Sequence, residues 1–348
     1  MYIPYFTITP KITSLLEEVA NAFGYFRGIS LPTDFEKEYV AKVISETVHA
    51  STAIEGNRLT NQQVSTVLKG GKVSALDRDI KEVENYNKAV SFIKSLRHDT
   101  FQINEKLIKE MHTIIMEGVK DKKVGGYRSG QVYVGDYIPP EGFKVPSLMG
   151  EFVEWLRNPK PELLSPILYS GIAHYRFVEI HPFEDGNGRT SRILTKLMLM
   201  KGGYDITSYF SLEAYYNRDR NAYYKALSTA DQNRKDGRAD LTIWLEYFVN
   251  GLVIEANRAV SRLEEELTAY RRQESPLRLT ENQTALLKML EEKKTIKLAD
   301  YMEVTGLSKS GGYKDFEALI KYGLIERKGK YKGAYYILTE KGYNYLQK

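Results

Sequence analysis

Along most of the 348-residue chain apolar residues return every three or four positions, the spacing that buries one face of a helix. The pattern predicts helices over 11–24, 34–55, 60–70, 77–97, 104–117, 146–157, 165–179, 215–230 and 241–273, and another that begins at Asn187 with Ile193, Leu194, Leu197 and Met198 as its apolar stripe. Residues 104–117 carry the clearest stripe, made by Leu107, Ile108, Met111, Ile114 and Ile115. The helical regime breaks at Gly125-Gly126. Gln131–Tyr137 follows, with β-branched and aromatic residues beside turn formers, and Pro139-Pro140 closes it. That stretch predicts a short β-hairpin in helical surroundings. After Ser275-Pro276 the pattern changes to shorter helices at 281–292, 297–304 and 308–322, then strand segments at 324–327 and 334–338 about a Lys/Gly-rich turn.

These elements predict a mainly α protein in four segments: an N-terminal helical region (1–100), a helical core with the hairpin (101–240), a connecting helix (241–275) and a small α+β domain (276–348). A chain of this length can bury cores in more than one domain. Composition mainly excludes. Hydrophobic content of 42% and charged content of 27% are those of an ordinary globular protein. There is no cysteine, hence no disulfide or thiolate metal site, and the five histidines are too dispersed for a zinc cluster. A cytoplasmic location is expected: the first residues lack the basic start and apolar run of a signal peptide, and no apolar run nears the ~20 residues of a membrane span. The formal net charge of +5 is uneven, with 14 Lys and Arg against 9 Asp and Glu from Pro276 onward.

The chemistry concentrates in His181-Pro182-Phe183-Glu184-Asp185-Gly186-Asn187-Gly188-Arg189-Thr190-Ser191-Arg192. Pro182 disfavours helical geometry at His181 and has no amide hydrogen, so the preceding helix ends here and His181 stands at a bend. Gly186 and Gly188 let the backbone turn tightly around Asn187 and aim its N–H groups at one point, an anion nest before the next helix. Arg189 and Arg192 project from the first two turns of that helix, where unpaired cations oppose the macrodipole at a cost of about 0.3–1 kcal/mol each. A polyanion in front of the helix gives the placement a purpose, because guanidinium forks match phosphate oxygens. Asp185 would then carry a divalent metal bridging phosphates, and His181 would act as general base. Each residue alone has a plainer role: Asp185 or Asn187 as a helix N-cap, His181 as a structural histidine, the arginines as partners of an internal carboxylate. Those roles give no reason for the whole set to meet in one loop.

The loop meets the signature His-Pro-Phe-x-Asp/Glu-Gly-Asn-Gly-Arg-x-x-Arg at every specified position, and through it the chain resembles the Fic family, most of whose enzymes transfer AMP from ATP to a protein hydroxyl. The resemblance covers about residues 35–235 and implies a Fic-type helical core with the hairpin as a flap. It implies that His181 deprotonates the target hydroxyl and that Asp185 holds Mg2+. Gly186, Asn187, Gly188 and the amides around them would grip the α-phosphate. Arg189 and Arg192 would take the outer phosphates, with Thr190 and Ser191 between them in the nucleotide site, and Phe183 would anchor the loop. The acceptor would be a Ser, Thr or Tyr hydroxyl of a partner protein or of the chain itself. Transfer of another nucleotide or phosphate-containing group, removal of AMP with Glu55 positioning water, and a DNA-binding regulator that only senses nucleotide remain open.

Upstream, Ser51-Thr52-Ala53-Ile54-Glu55-Gly56-Asn57 ends the 34–55 helix, with Ser51 and Glu55 on one face at i and i+4 and Gly56 in the C′ position. Glu55 is an acid at the negative end of its helix, as ill placed as the arginines at the positive end of theirs. Contact of Glu55 with Arg192 or Arg189 in the resting protein answers both; a solvated glutamate before a glycine cap is the simpler alternative. The resemblance extends to this stretch, since many Fic proteins carry an inhibitory Ser/Thr-x-x-x-Glu-Gly/Asn motif that Ser51, Glu55 and Gly56 fill. It implies that Glu55 occupies an arginine needed by the γ-phosphate and so inhibits the chain from within.

A hairpin edge can pair with an extended peptide, or the hairpin can be a purely structural flap. Family members hold the target segment at such a flap, which makes Val132, Tyr133 and Val134 the expected docking residues. Tyr223-Tyr224 reads first as core, and the resemblance places Tyr224 beside the adenine. His112 and His174 read as structural. The elements beyond 275 resemble a winged helix-turn-helix, which docks proteins as well as DNA. On DNA, Ser308, Lys309, Ser310, Tyr313 and Lys314 would face the duplex with Lys328, Lys330 and Lys332 in the wing. Against this, Gly311-Gly312 weakens the helix by roughly 1 kcal/mol per glycine, and Asp315 and Glu317 dilute its charge. The expected partners are therefore ATP with Mg2+, a protein bearing a hydroxyl, and DNA through 276–348. No membrane is expected, and a homodimer stays open.

Overall fold

The computed structural model describes residues 2–96, 101–119, 124–157, 165–235, 237–274, 279–329 and 333–346. The chain divides into two compact units, Met1–Tyr270 and Arg271–Lys348. Ser275-Pro276, the expected boundary, and the wing residues Lys330 and Lys332 lie outside the described residues.

The first unit is built from α1 (Pro10–Gly28), α2 (Thr33–Ile54), α3 (Asn61–Leu68), α4 (Asp77–Ser95), α5 (Glu105–Met116), α6 (Val145–Arg157), α7 (Pro166–Ile180), α8 (Asn187–Lys201), α9 (Leu212–Arg218), α10 (Arg220–Gln232) and α11 (Thr242–Glu274). Local chemistry starts several of them. Thr9 accepts the Ile12 amide at α1 with Pro10 in the first turn, Thr60 and Gln63 form a capping box on α3, and Asn104 accepts the Leu107 amide at α5. The single helix expected over 215–230 is two. Asp219 leaves helical geometry and accepts the Ala222 amide, ending α9 and capping α10, the role for which a short acidic side chain is best suited.

Two apolar clusters fill this unit, and α8 contributes to both: Ile193, Leu194 and Leu197 to one, Leu199 to the other. The expected stripe covers a single face of α8, whereas the structure buries every position from Arg189 to Met200. The hydroxyls and the lysine in that span are satisfied internally. Thr190, Ser191 and Thr195 donate to the carbonyls of Gly186, Gly188 and Ser191, and Lys196 Nζ lies 2.6 Å from Glu213 Oε2. With α7 packed against it, α8 is a fixed platform for the loop between them. The helix expected as a connector, α11, buries Trp244, Phe248, Leu252, Ala256, Ala259, Leu263 and Leu267 in the first cluster, so most of its length is core of this unit. Strands β1 (Arg234–Lys235) and β2 (Arg238–Ala239) pair antiparallel, and the hairpin expected at 131–137 takes the form of a tight turn closed by the pair Val134 and Tyr137.

The second unit contains α12 (Glu281–Lys293), α13 (Leu298–Thr305), α14 (Lys309–Lys321), β3 (Ile325–Lys328), β4 (Tyr335–Leu338) and α15 (Glu340–Leu346). Strands β3 and β4 pair antiparallel with Ile325 opposite Leu338, and Ile296 bridges to Tyr336 on the free side of β4. Leu286, Leu290, Tyr301, Phe316, Leu319 and Leu324 form a separate core. Gly312, expected to weaken α14, and Asp315, expected to dilute its charge, have structural reasons. A Cβ on Gly312 would come within 2.9 Å of Leu298 Cδ1, so the glycine permits the close crossing of α13 and α14. Asp315 turns inward, accepting from Tyr301 at 2.8 Å and from Gln283 at 3.0 Å. Among the described residues no helix is long and apolar enough to cross a membrane.

Candidate functional site

His181 ends α7 in the left-handed conformation, with φ 50°. Its Nδ1 lies 3.4 Å from the Val178 carbonyl, which can only accept. Nδ1 therefore carries the proton, and the lone pair is on Nε2. Burial pushes the imidazole down to about 4, and the Arg128 charge works in the same direction, so His181 is neutral at neutral pH. A neutral imidazole with Nε2 as acceptor is the form a general base requires.

The loop beyond is held by Phe183, which is fully buried and stacked on His112 at 3.7 Å between ring centroids. Asn187 clamps it: its Oδ1 accepts the Phe183 amide at 2.9 Å and its Nδ2 donates to the Phe183 carbonyl at 2.8 Å. His112 accepts the Gly125 amide at Nδ1, which leaves Nε2–H to donate to the Asp185 carbonyl at 3.0 Å, the structural role expected of it. Gly186 has φ 76°, and a Cβ there would meet Met116 Sδ at 2.6 Å, so both conformation and space require glycine. Gly186 is also the N-cap of α8. Neither Asp185 nor Asn187 caps the helix, and its first turn has no side-chain cap. Asp185 Oδ1 accepts the Gly186 amide at 2.7 Å and lies 3.4 Å from Arg189 Nη2.

The two arginines part company. Arg189 turns into the fold, its Nη1 3.3 Å from Oε1 of the buried Glu82. Arg192 meets the end of α2: Nε donates to Ser51 Oγ at 2.8 Å, and Nη2 donates to the Ser51 carbonyl at 3.0 Å and to Glu55 Oε1 at 2.7 Å. Gly56 follows with φ 93° and turns the chain away. Glu55 rests against Gly188, where a Cβ would come within 2.4 Å of its Oε1. Of the two arginines open to Glu55, Arg192 is the partner, and Ser51, Glu55, Gly188 and Arg192 form one cluster. The Thr190 and Ser191 side chains do not join it, being turned back onto α8. Tyr224, 46% exposed, stands beside the buried Tyr223; burial raises its phenol, and the nearby Glu55 carboxylate adds to that. In the flap, Tyr133 is 71% exposed between the less exposed Val132 and Val134, and Tyr137 Oη donates to the Glu179 carbonyl at 2.8 Å.

Two residues of the site escape pattern reading. Arg128 is buried and donates from Nε to the His181 carbonyl at 2.7 Å, from Nη1 to Gly130 at 2.8 Å, and from Nη2 to the carbonyls of Pro140 and Ile180. Its own amide donates to Pro182 at 2.9 Å, so one residue ties the flap to both sides of His181. Glu82 accepts from Asn57 at 3.1 Å and from Arg78 at 3.2 Å as well as facing Arg189. An acid on the apolar face of α4, one turn from Tyr86, is the signal that could have revealed Glu82. For Arg128 the signal is weaker, a lone arginine after a glycine break.

The Fic/DOC family model matches residues 102–199, which include the loop. Protein adenylyltransferase Fic of Drosophila erecta is 36% identical over 163 residues, 45% of this chain and 32% of that protein. Its counterpart in Drosophila yakuba is 33% identical over 191 residues, 53% of this chain and 37% of that protein. This chain thus spans about a third of the length of the curated relatives it matches. Among solved structures, a Fic family protein from Desulfovibrio desulfuricans G20 superposes with a TM-score of 0.68 at 28% identity, covering 97% of this chain and 99% of that one. Fic-1 (residues 134–508) from C. elegans superposes with a TM-score of 0.62 at 25% identity, covering 73% of each chain. The loop geometry, the domain match and a mainly helical fold shared along nearly the whole chain agree in marking residues 102–199 as a Fic/DOC domain.

Proposed function

We propose that the chain is a protein adenylyltransferase that moves AMP from ATP to a Ser, Thr or Tyr hydroxyl of a protein, its own chain included, and that Glu55 restrains it. The observation that carries this reading is the Glu55 carboxylate, an anion 2.7 Å from Arg192 and against Gly188, in front of a helix whose first turn has no side-chain cap. A nucleotide phosphate is the anion such a helix end suits once Glu55 leaves. The likeness to proteins named adenylyltransferase supports the choice of AMP.

In this reading His181 Nε2 takes the proton of the target hydroxyl, the hydroxyl oxygen attacks the α-phosphorus, and pyrophosphate departs. The amides of Gly186–Gly188 and the dipole of α8 stabilise charge on the α-phosphate, while Asn187 shapes that nest through Phe183. Arg192, freed from Glu55, takes a terminal phosphate, and Arg189 does so on leaving Glu82. Thr190 and Ser191 support the site from within α8, Tyr224 flanks the base, and Val132–Val134 pairs with the target backbone beside His181. The donor set suits Mg2+: Asp185, its side chain 27% exposed and oriented by the Gly186 amide, supplies one carboxylate and leaves other positions to phosphate oxygens and water. The ion would offset charge on the departing pyrophosphate. Residues 1–100 would supply the inhibitory helix, 101–240 the catalytic core, 241–275 a frame and 276–348 a recognition module, in a cytoplasm that holds ATP and Mg2+.

The test is incubation with α-labelled ATP and Mg2+ of the wild type, Glu55→Gly, and Glu55→Gly with His181→Ala. Strong labelling is expected in Glu55→Gly alone, with an added AMP mass, and a loss of about 100-fold or more on removing the base. Nucleotide binding without label in all three, on self or on lysate proteins, would overturn the reading. A second reading adds DNA binding by the second unit. Lys309, Ser310, Tyr313 and Lys314 are exposed together on or beside the start of α14 while Asp315 faces inward. Its test is the salt dependence argued in the Discussion.

A further inference from the structure

Helix α7 ends in carbonyls that the helix itself cannot satisfy, and the flap with its base supplies most of their donors. The His181 amide is the last to bond in register, donating to the Phe177 carbonyl at 3.0 Å. The next donor would come from Pro182, which has no amide hydrogen, and this leaves the Val178 carbonyl to the His181 ring at 3.4 Å. The donor after that, the Phe183 amide, goes to Asn187 Oδ1 at 2.9 Å. The Glu179 carbonyl accepts instead from Tyr137 Oη of the flap at 2.8 Å, and the carbonyls of Ile180 and His181 accept from Arg128 at 3.3 and 2.7 Å. The end of α7 and the flap thus complete one another's hydrogen bonds.

The flap needs that attachment. Among the described residues its two arms share one reciprocal pair of backbone hydrogen bonds, between Val134 and Tyr137, both 3.0 Å, and Gln131 Nε2 adds a contact to the Pro139 carbonyl at 2.9 Å. A hairpin so small is marginal by itself. Arg128 fastens its base through the carbonyls of Gly130 and Pro140. Tyr137, half-buried at the closing pair, fastens the far end, while Tyr133 and Ile138, its alternates on the other face, are exposed. The residue that Tyr137 meets is itself braced. The Glu179 carboxylate lies 2.6 Å from Arg176 Nη1 and 2.9 Å from Arg234 Nη2, and Arg234 also donates to the Gly237 carbonyl at 2.9 Å.

We infer that Tyr137 is a positioning residue: its hydroxyl, bonded to the Glu179 carbonyl two residues before His181, holds the flap in place beside the base, so that a target segment pairing with the flap arrives with its hydroxyl at Nε2. The inference rests on the transferase reading and on the flap as docking edge. An unpinned flap would have to be ordered by each target as it docks, and that cost would fall on target affinity. The nucleotide end of the site is built by α8 and the loop before it, the target end by the flap, and Tyr137 acts on the second alone.

The test is Tyr137→Phe, which removes one oxygen and keeps the ring. Amide hydrogen exchange on the full chain reads the pin directly. The Val134 and Tyr137 amides are expected to exchange about tenfold faster in the variant, the scale of one hydrogen bond, while the amides of α8 are unchanged. In the Glu55→Gly background the acceptor is the lysate protein that this chain labels most strongly. Its kcat/KM should fall about tenfold, chiefly through KM, while calorimetric affinity for ATP with Mg2+ stays within about twofold. Replacing Tyr137 by p-aminophenylalanine, which returns an N–H donor to the same ring position, should restore both slow exchange and acceptor KM. Unchanged exchange at Val134 and Tyr137, equal losses for ATP and acceptor, or no recovery with the restored donor would overturn the inference. Should no protein be labelled, the transferase reading fails, while the exchange measurement still decides whether Tyr137 pins the flap.

Discussion

A buried arginine whose donors all go to backbone carbonyls, as those of Arg128 do, leaves no room for a shorter or differently shaped cation. Lysine offers three donors from a single point and cannot reach carbonyls at both 130 and 181 in the same geometry. Arg128→Lys is therefore expected to leave at least one carbonyl unpaired and to destabilise the first unit by about 2–4 kcal/mol, read as a lowered urea midpoint at unchanged slope. A loss below about 0.5 kcal/mol would mean that water replaces the guanidinium without consequence. Arg128 also marks a limit of reading residues in order. The loop from His181 to Arg192 was legible because residues of unusual chemistry are adjacent in the chain. Arg128 acts on a carbonyl 53 residues away, and Glu82 on an arginine of another helix, so nothing next to either one reports its partner. The contact of Glu55 with Arg192 was legible for a different reason, since each charge opposes its own helix dipole and needs an external partner.

At the scale of elements, periodicity located the helices but not the burial of their second faces. In α8 a four-residue stripe was visible, and the burial of Thr195 and Lys196 was not, because it depends on Glu213 and on each hydroxyl bonding its own helix. The two glycines of α14 divide in the same way. Both read as helix-weakening, yet only Gly312 has a packing reason. An added Cβ on Gly311 meets nothing nearer than 3.5 Å, so Gly311→Ala should stabilise the second unit by about 0.5–1 kcal/mol through helix propensity. At Gly312 the same methyl lies 2.9 Å from Leu298 Cδ1 and 3.3 Å from Met302 Cγ, two core-side neighbours of α13. Gly312→Ala is expected to lose the propensity gain and to destabilise by about 1–3 kcal/mol, the usual scale of overpacking. Chemical denaturation of both variants checks the pair, and equal stabilisation by both would refute the close crossing of α13 and α14.

For the whole molecule, charge was legible from the chain where geometry was not, and it leads to the last expectation. The second unit holds most of the excess positive charge, and Lys309 and Lys314 are exposed near the start of α14, while Lys328 has a partner in Glu326 at 2.9 Å. If that face takes DNA, the attraction is chiefly release of counterions from the duplex, and affinity must fall linearly with salt on logarithmic axes. Each lysine that meets a phosphate contributes a slope of about 0.9, so Lys309→Ala with Lys314→Ala should flatten the slope of the full chain by about 2 and weaken all duplex sequences alike. Anisotropy titrations of a labelled duplex between low and physiological salt measure it. A slope unchanged by the two substitutions would remove α14 from the DNA surface. Binding that shows no salt dependence would leave the exposed Tyr313 and Ile320 as the better guide, and with them a protein partner for this unit.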